Sequence, residues 1–355
     1  MSIGPEPVDR RRSRRRLLVC LCAPLAGLLL AEVVVRALGL HALQLPETRG
    51  SVLQPCEDPV LLFENRPNGQ QVILHGDASG SSRRVVMRTN GQRFRGPEVE
   101  LQKPAGVLRV ACLGDSHTFG DGVAAGDTWP ARLADLAGPG VEVLNCGVNA
   151  YDTLQEVLFY ERRVAAFDPD VVLLAYFVND VAVRGMPGQG TTDFLARWTH
   201  PRQRGWIAAC RSRSRALDLL CDAIYRRRNL EQRGSAWTSR YVESDLGWQR
   251  ARDALRRIQE HCRQAGRRFY VVLVPYVVRD GQDRFLSQPA MRVVSDFCQR
   301  AGMECFDGEP SVQALGDEEL RISPLDFHAS PRVYRHLAAG LAAWLAARGL
   351  PFSER

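Results

Sequence analysis

The stretch Arg109-Val-Ala-Cys-Leu-Gly-Asp-Ser-His-Thr-Phe-Gly-Asp-Gly-Val123 runs a short apolar segment straight into a serine. Val110 to Leu113 is rich in β-compatible residues and stops at Gly114, where the backbone can turn sharply. A serine at the carboxyl end of a buried strand stands on the edge where open α/β sheets take their ligands. Ser116 is therefore the candidate nucleophile. Taken alone, the stretch reads equally well as an Asp-Ser turn closing a strand, and the rest of the chain has to decide.

Outward from this strand, apolar runs and amphipathic segments alternate. The pattern predicts a strand at 108–113, a helix near 128–137 with Pro130 in its first turn, a strand at 141–146, a helix near 153–166 and a strand at 170–177. After Asn179-Asp180 it breaks. Residues 184–244 hold glycine, proline, tryptophan and many arginines around an amphipathic helix near 206–228, read as an insertion over the active edge. Alternation resumes with a helix at 246–265, a strand at 268–274, a helix at 288–301, a strand at 303–306 and a last helix at 331–347. Segments of this length alternating in this way specify an α/β fold with a parallel, doubly wound sheet. No internal repeat is present.

Composition excludes some classes of function. The chain has 355 residues, 45% hydrophobic and 25% charged, with a net charge of +7. Six arginines within residues 1–16, against Glu6 and Asp9, carry about four of those charges, and Lys103 is the sole lysine. Basic charge packed into one tail is not a nucleic-acid-binding face, so no nucleic-acid partner is expected. Ten cysteines show no C-x-x-C pair and no Cys/His cluster at zinc spacing, which supports neither a metal site nor a thioredoxin-like one. Pairing of Cys210 with Cys221, or of Cys298 with Cys305, cannot be read from spacing.

At the N-terminus Arg10-Arg-Arg-Ser-Arg-Arg-Arg16 precedes Leu17 to Ala31, fifteen residues without charge, followed by Glu32, Val33-Val-Val35 and Arg36. A basic flank before an apolar run keeps the flank in the cytoplasm and sends the rest across the membrane. Residues 1–16 are read as a basic cytoplasmic tail and 17–40 as a transmembrane anchor or signal segment. An uncleaved anchor is preferred, because Val35-Arg-Ala37 and Ala37-Leu-Gly39 are poor cleavage sites. Residues 41–105, with β-like runs Gln71-Val-Ile-Leu74 and Arg84-Val-Val-Met87, are read as a linker and a small β-rich lead-in.

A serine nucleophile needs a base held by a third group, and donors aimed at the developing oxyanion. Candidates stand in loops that follow strands or precede helices. Gly147 follows Leu144-Asn-Cys146, Asn179 closes Tyr176-Phe-Val-Asn179, and His328 lies in Ser323-Pro-Leu-Asp-Phe-His-Ala-Ser330. The serine motif is not the G-x-S-x-G elbow, since Thr118 occupies the place of the second glycine. His117 is read as a loop residue or substrate contact rather than a second base. Asp115 and Asp180 can each simply cap a turn.

Four blocks, in order, resemble the SGNH (GDSL-like) hydrolases: Gly114-Asp-Ser116, Gly147 within Asn145-Cys-Gly-Val-Asn149, Asn179-Asp180, and Asp326-Phe-His328. The resemblance covers roughly residues 106–347, and Arg88-Thr-Asn-Gly-Gln-Arg-Phe-Arg-Gly96 after the N-terminal segment resembles membrane-anchored bacterial members. It implies a flavodoxin-like three-layer α/β/α sandwich and acyl-ester hydrolysis without metal or cofactor. It also implies Ser116 as nucleophile and N–H donor, Gly147 and Asn179 as oxyanion donors, His328 as base and Asp326 as its orienter. The commonest family pattern has the aspartate three residues before the histidine, where this chain has Leu325; Asp326 stands two before.

The expectation is a membrane-anchored serine esterase, periplasmic or extracellular, acting through an acyl-serine on a small-molecule or carbohydrate ester such as acetylated envelope polysaccharide. The alternatives are an envelope polysaccharide O-acyltransferase using the same serine, and a non-catalytic binding protein on the same scaffold. In alginate-type acetyltransferases the Asp-x-His precedes the serine. Here it follows, which favours hydrolysis.

Overall fold

The computed structural model describes residues 10–39, 47–76, 82–182, 213–226, 232–323 and 326–353. His41, His200, Cys210, Leu325, the start of the basic tail and much of the segment 184–244 lie outside the described residues.

Five parallel strands form the central sheet: β4 (Leu108–Gly114), β5 (Val141–Asn145), β6 (Val171–Tyr176), β7 (Arg268–Leu273) and β8 (Glu304–Asp307). Their order is β5-β4-β6-β7-β8. That order is the 2-1-3-4-5 winding of flavodoxin-like sheets, with its switch point between β4 and β6. Every residue of β6, and all of β4 after Leu108, is buried, as expected of strands covered by helices on both faces. The edge strands β5 and β8 are less covered. Helices Trp129–Asp135 and Pro331–Ala346 pack together, as do Thr153–Arg162 and Leu246–Gln264. Right-handed crossovers place these two pairs on opposite faces of the sheet.

Local chemistry sets the helix starts. Thr128 and Ser330 accept from Ala131 N and Val333 N, each with a proline in the first turn. Asp152 and Gln155 make a reciprocal capping box, and Asp245 accepts from the N–H groups of Gly247 and Trp248. The helix expected to reach residue 166 stops at Arg162, because the chain tightens into a short 3₁₀ turn ending at Asp168 in the left-handed region, φ 49°.

The runs Gln71–Leu74 and Arg84–Met87 fall in an antiparallel sheet of β1 (Glu47–Pro55), β2 (Phe63–Gly76) and β3 (Ser82–Arg88). Long-range hydrogen bonds tie this region to the loop after β5 and the helix that follows it. Tyr151 donates its hydroxyl to Phe63 O at 2.6 Å, and Gln155 Nε2 donates to the carbonyls of Val60 and Leu61.

A helix spans Arg10–Ala37, so the arginine run is part of it. Leu28, Leu29, Leu30, Val33 and Leu38 are exposed, and Glu32 accepts from Ser214 Oγ and from the N–H groups of Arg215 and Ala216, capping the helix Arg215–Arg226. Among the described residues no helix is long and apolar enough to cross a membrane, so the transmembrane span expected within 17–40 is not seen as such. Described cysteines are free thiols, Cys298 and Cys305 among them.

Candidate active site

The strand–turn–serine arrangement depends on Gly114. Its φ is 149°, and a Cβ there would lie 2.1 Å from Thr118 Oγ1, so only glycine lets the chain fold back from β4 into the short helix Ser116–Phe119. Asp115 accepts from His117 N at 2.8 Å, which fixes that helix start and gives the aspartate a structural role.

His328 arrives from the loop before the last helix, 212 residues away in sequence. Its Nε2 is 2.9 Å from Ser116 Oγ, and its Nδ1 is 2.6 Å from Asp326 Oδ1. The same carboxylate oxygen accepts from His328 N at 2.9 Å, so the two-residue spacing lets one oxygen hold both backbone and ring. Ser116 and His328 are 4% and 6% exposed. Burial alone would push the imidazole down. The Asp326 carboxylate, by charge and hydrogen bond, with Asp121 and Asp115 behind it, outweighs that and lifts it to about 9. Burial likewise pushes the Asp326 carboxyl up, but the facing imidazolium and the hydrogen bonds bring it down to about 2.

Asn179 lies three residues past β6, next to β4 in the sheet with Gly114 opposite Ala175. It is 5% exposed, and its Oδ1 has no hydrogen-bond partner among the described residues. Contact between the two loops is direct: the His117 ring lies 3.8 Å, centroid to centroid, from that of Phe177. Burial, then the neighbouring His328, hold His117 well below the usual histidine range, so it is a neutral ring in an aromatic wall with Phe177, Phe327, Trp237 and Tyr276. Trp237 comes from the helix Gln232–Thr238, the described part of the expected insertion that reaches this edge. Asp180 accepts from Phe177 N and Thr153 Oγ1, which makes it a turn-holding group too.

Gly147, expected as an oxyanion donor, stands in the loop just after β5. Its N–H donates to Asn145 Oδ1 at 3.1 Å, and a Cβ would lie 2.2 Å from Phe119 N. Glycine is needed there because the β5 loop crosses closely over the serine's helix; its N–H would have to leave Asn145 before it could serve an oxyanion. The next turn holds Ala150 in the left-handed region, φ 69°, an unusual conformation for a residue with a side chain.

Several residues at the site went unread in the sequence. Arg95, 4% exposed, donates to the carbonyls of Phe119, Gly120 and Val123 and so clamps the chain after Ser116. Asp121 reaches back to His328 Nε2, 4.0 Å away, and His75 of β2 lies against the Gly122 turn. The signal was partly present: Asp121 sits between two glycines within the opening stretch, and Arg95 within the arginine-rich block before it. Among the described residues no cluster of His, Cys, Asp and Glu could hold a metal ion.

A family model for the GDSL-like lipase/acylhydrolase family matches residues 112–336, which include all four motif blocks. The chain belongs to this family. It is a GDSL-type serine esterase, a hydrolase of carboxylic esters. Among solved structures it is similar to Axe2, an acetylxylan esterase from Geobacillus stearothermophilus, with 16% identity, a TM-score of 0.41 and coverage of 68% of this chain and 95% of that one. It is also similar to a two-domain esterase active on acetylated mannans, with 13% identity, a TM-score of 0.42 and coverage of 68% and 50%. Likeness at this level does not say what the GDSL esterase described here acts on. No curated protein matches the chain.

Proposed function

We propose that Ser116, His328 and Asp326 act as one unit that hydrolyses carboxylic esters, O-acyl carbohydrates among them, through an acyl-serine. The supporting observation is the continuous chain Ser116 Oγ to His328 Nε2 at 2.9 Å and His328 Nδ1 to Asp326 Oδ1 at 2.6 Å. Ser116 Oγ attacks the ester carbon while its proton passes to Nε2. The ester C–O bond then breaks and Nε2 returns the proton to the departing alcohol oxygen. Water attacks the acyl-serine, giving its proton to Nε2, and the acid leaves as Ser116 recovers that proton. Asp326 keeps Nδ1 protonated and stabilises the imidazolium. Ser116 N–H and the Asn179 amide are the oxyanion donors in this reading.

The enzyme works outside the cytoplasm, held at the membrane by its N-terminal segment 17–40, with residues 1–16 as a cytoplasmic tail. The arginine flank, the uncharged run that follows and the exposed leucines and valines of that segment support this. Fractionation with a C-terminal tag tests it: the tag should stay with membranes and be reachable only from the non-cytoplasmic side, and a tag reachable only from the cytoplasm would overturn it. A panel of p-nitrophenyl acyl esters, with and without a carbohydrate acceptor, tests the reaction. Hydrolysis unaffected by acceptor is expected, whereas turnover that requires acceptor would make the enzyme a transferase.

A further inference from the structure

Asp121 has no place in the proton relay, yet it borders it. Its Oδ2 lies 4.0 Å from His328 Nε2, the nitrogen that also meets Ser116 Oγ. Its Oδ1 is buried without a hydrogen-bond partner among the described residues, and so is Oδ1 of Asn149, whose side chain lies beside the Asp121 carboxylate and favours its charged form. Asp121 is 8% exposed and Asn149 3%. Nor is the carboxylate there by chance of a loose loop: Asp121 N donates to Ser116 O at 2.9 Å, and the carbonyls of Phe119, Gly120 and Val123 on either side are held by Arg95. Two acceptor oxygens fixed in a dry site and lacking donors are costly unless something else donates to them.

The mechanism says what that could be. His328 Nε2 hands its proton to the alcohol oxygen of the ester, so groups around Nε2 face the alcohol half of the substrate, while Asn179 and Ser116 N–H face the carbonyl half. A hydroxyl on the carbon next to the ester oxygen is within a few ångströms of that oxygen, about the separation between Nε2 and the Asp121 carboxylate. A carboxylate accepts only, so it favours a neighbour that donates.

We infer that Asp121, braced by Asn149, is an alcohol-side binding subsite that takes a free hydroxyl vicinal to the ester oxygen, which makes partly acylated polyols such as sugars the preferred substrates. The inference rests on the Ser116–His328 reading above. An ester of a simple alcohol reacts by the same steps but leaves the carboxylate without its donor, and a fully acylated polyol does the same.

The test compares trans-2-hydroxycyclohexyl acetate with cyclohexyl acetate, which differ by that hydroxyl alone. Wild-type enzyme should favour the hydroxy ester in kcat/KM by about 10- to 100-fold, the usual worth of a hydrogen bond to a charged group. In Asp121→Ala the preference should collapse towards one, and in the isosteric Asp121→Asn, which keeps one acceptor oxygen, it should survive in part. Taking the ratio of the two esters removes any effect of Asp121 on His328, since that changes both alike. A wild-type ratio near one, or an Asp121→Ala loss equal for both esters, overturns the subsite. Labelling of Ser116 by a serine-directed phosphonate keeps the two questions apart: label without ester preference sinks the subsite alone, and absence of label sinks the serine reading beneath it.

Discussion

The parallel sheet and the antiparallel sheet of this protein divide the work of the site unevenly. Ser116, Asn179 and His328 come from loops of the parallel domain, after β4, after β6 and before the last helix. The region of the antiparallel sheet supplies no group to the relay, yet it holds the loops that do. Arg95 clamps three carbonyls after the serine, Asn65 Nδ2 donates to Gly147 O at 2.9 Å, and Gly122 N points at Met87 Sδ at 3.4 Å. In the proposed mechanism, then, one part of the chain carries the reactive groups and another holds them in position.

Removing the reactive groups should have the largest effect. Ser116→Ala and His328→Ala should each lower kcat by about 10⁴-fold or more, with no further loss in the double variant, because the residues act as a unit. Melting temperatures should stay near wild type, and a variant that unfolds would show that its residue holds the fold together.

Asn179→Ala comes next. An oxyanion donor acts only as charge develops, so kcat should fall about 10²- to 10³-fold with KM little changed. Normal kcat in a destabilised protein would show that Asn179 merely closes its turn.

Arg95→Leu probes the other side. Burial pulls this guanidinium down to about 10, which leaves it charged at neutral pH, and its loss strands three buried carbonyls. A loss of roughly 3 kcal/mol in stability is expected, as unpaired buried polar groups cost about 1–3 kcal/mol each and some relax. Activity per folded molecule should fall too, because Ser116 and Asp121 lose their brace. Full stability and activity in urea titration and steady-state kinetics would show that Arg95 does not brace the serine loop.

The motif blocks and the β-rich character of residues 41–105 were legible in the sequence, and the bracing contacts between the two regions were not. A strand running into Gly114-Asp-Ser116 announces itself through local apolar pattern and a turn residue, and the later blocks lie at the ends of equally periodic segments. Arg95 and Asn65 leave no such trace, because their partners are main-chain carbonyls 24 to 82 residues away. Gly147 shows the limit from the other direction. A glycine at a strand end reads as a bare N–H for a ligand, and the structure adds a need the sequence does not show: room for the β5 loop to cross over Phe119. Asp121 was in plain view between two glycines, and only the fold shows that this turn brings its carboxylate back to His328.

The smallest expected effect is one of pH. His328 must be neutral to accept the serine's proton, and Asp326 holds its pKa up to about 9 against the pull of burial. kcat/KM should therefore rise with pH across the neutral to alkaline range. Asp326→Asn removes the charge that favours the imidazolium, so its rising limb should move to lower pH while the plateau falls. A limb that stays where it was would mean that Asp326 positions the ring without setting its charge.

Whether Ser116 is the nucleophile is decided by treating the intact protein with a serine-directed fluorophosphonate and locating the label by peptide mass spectrometry. One adduct on Ser116 is predicted, forming far more slowly in His328→Ala. An adduct on another residue, or labelling of Ser116 at the same rate without His328, would show that the two do not act as nucleophile and base.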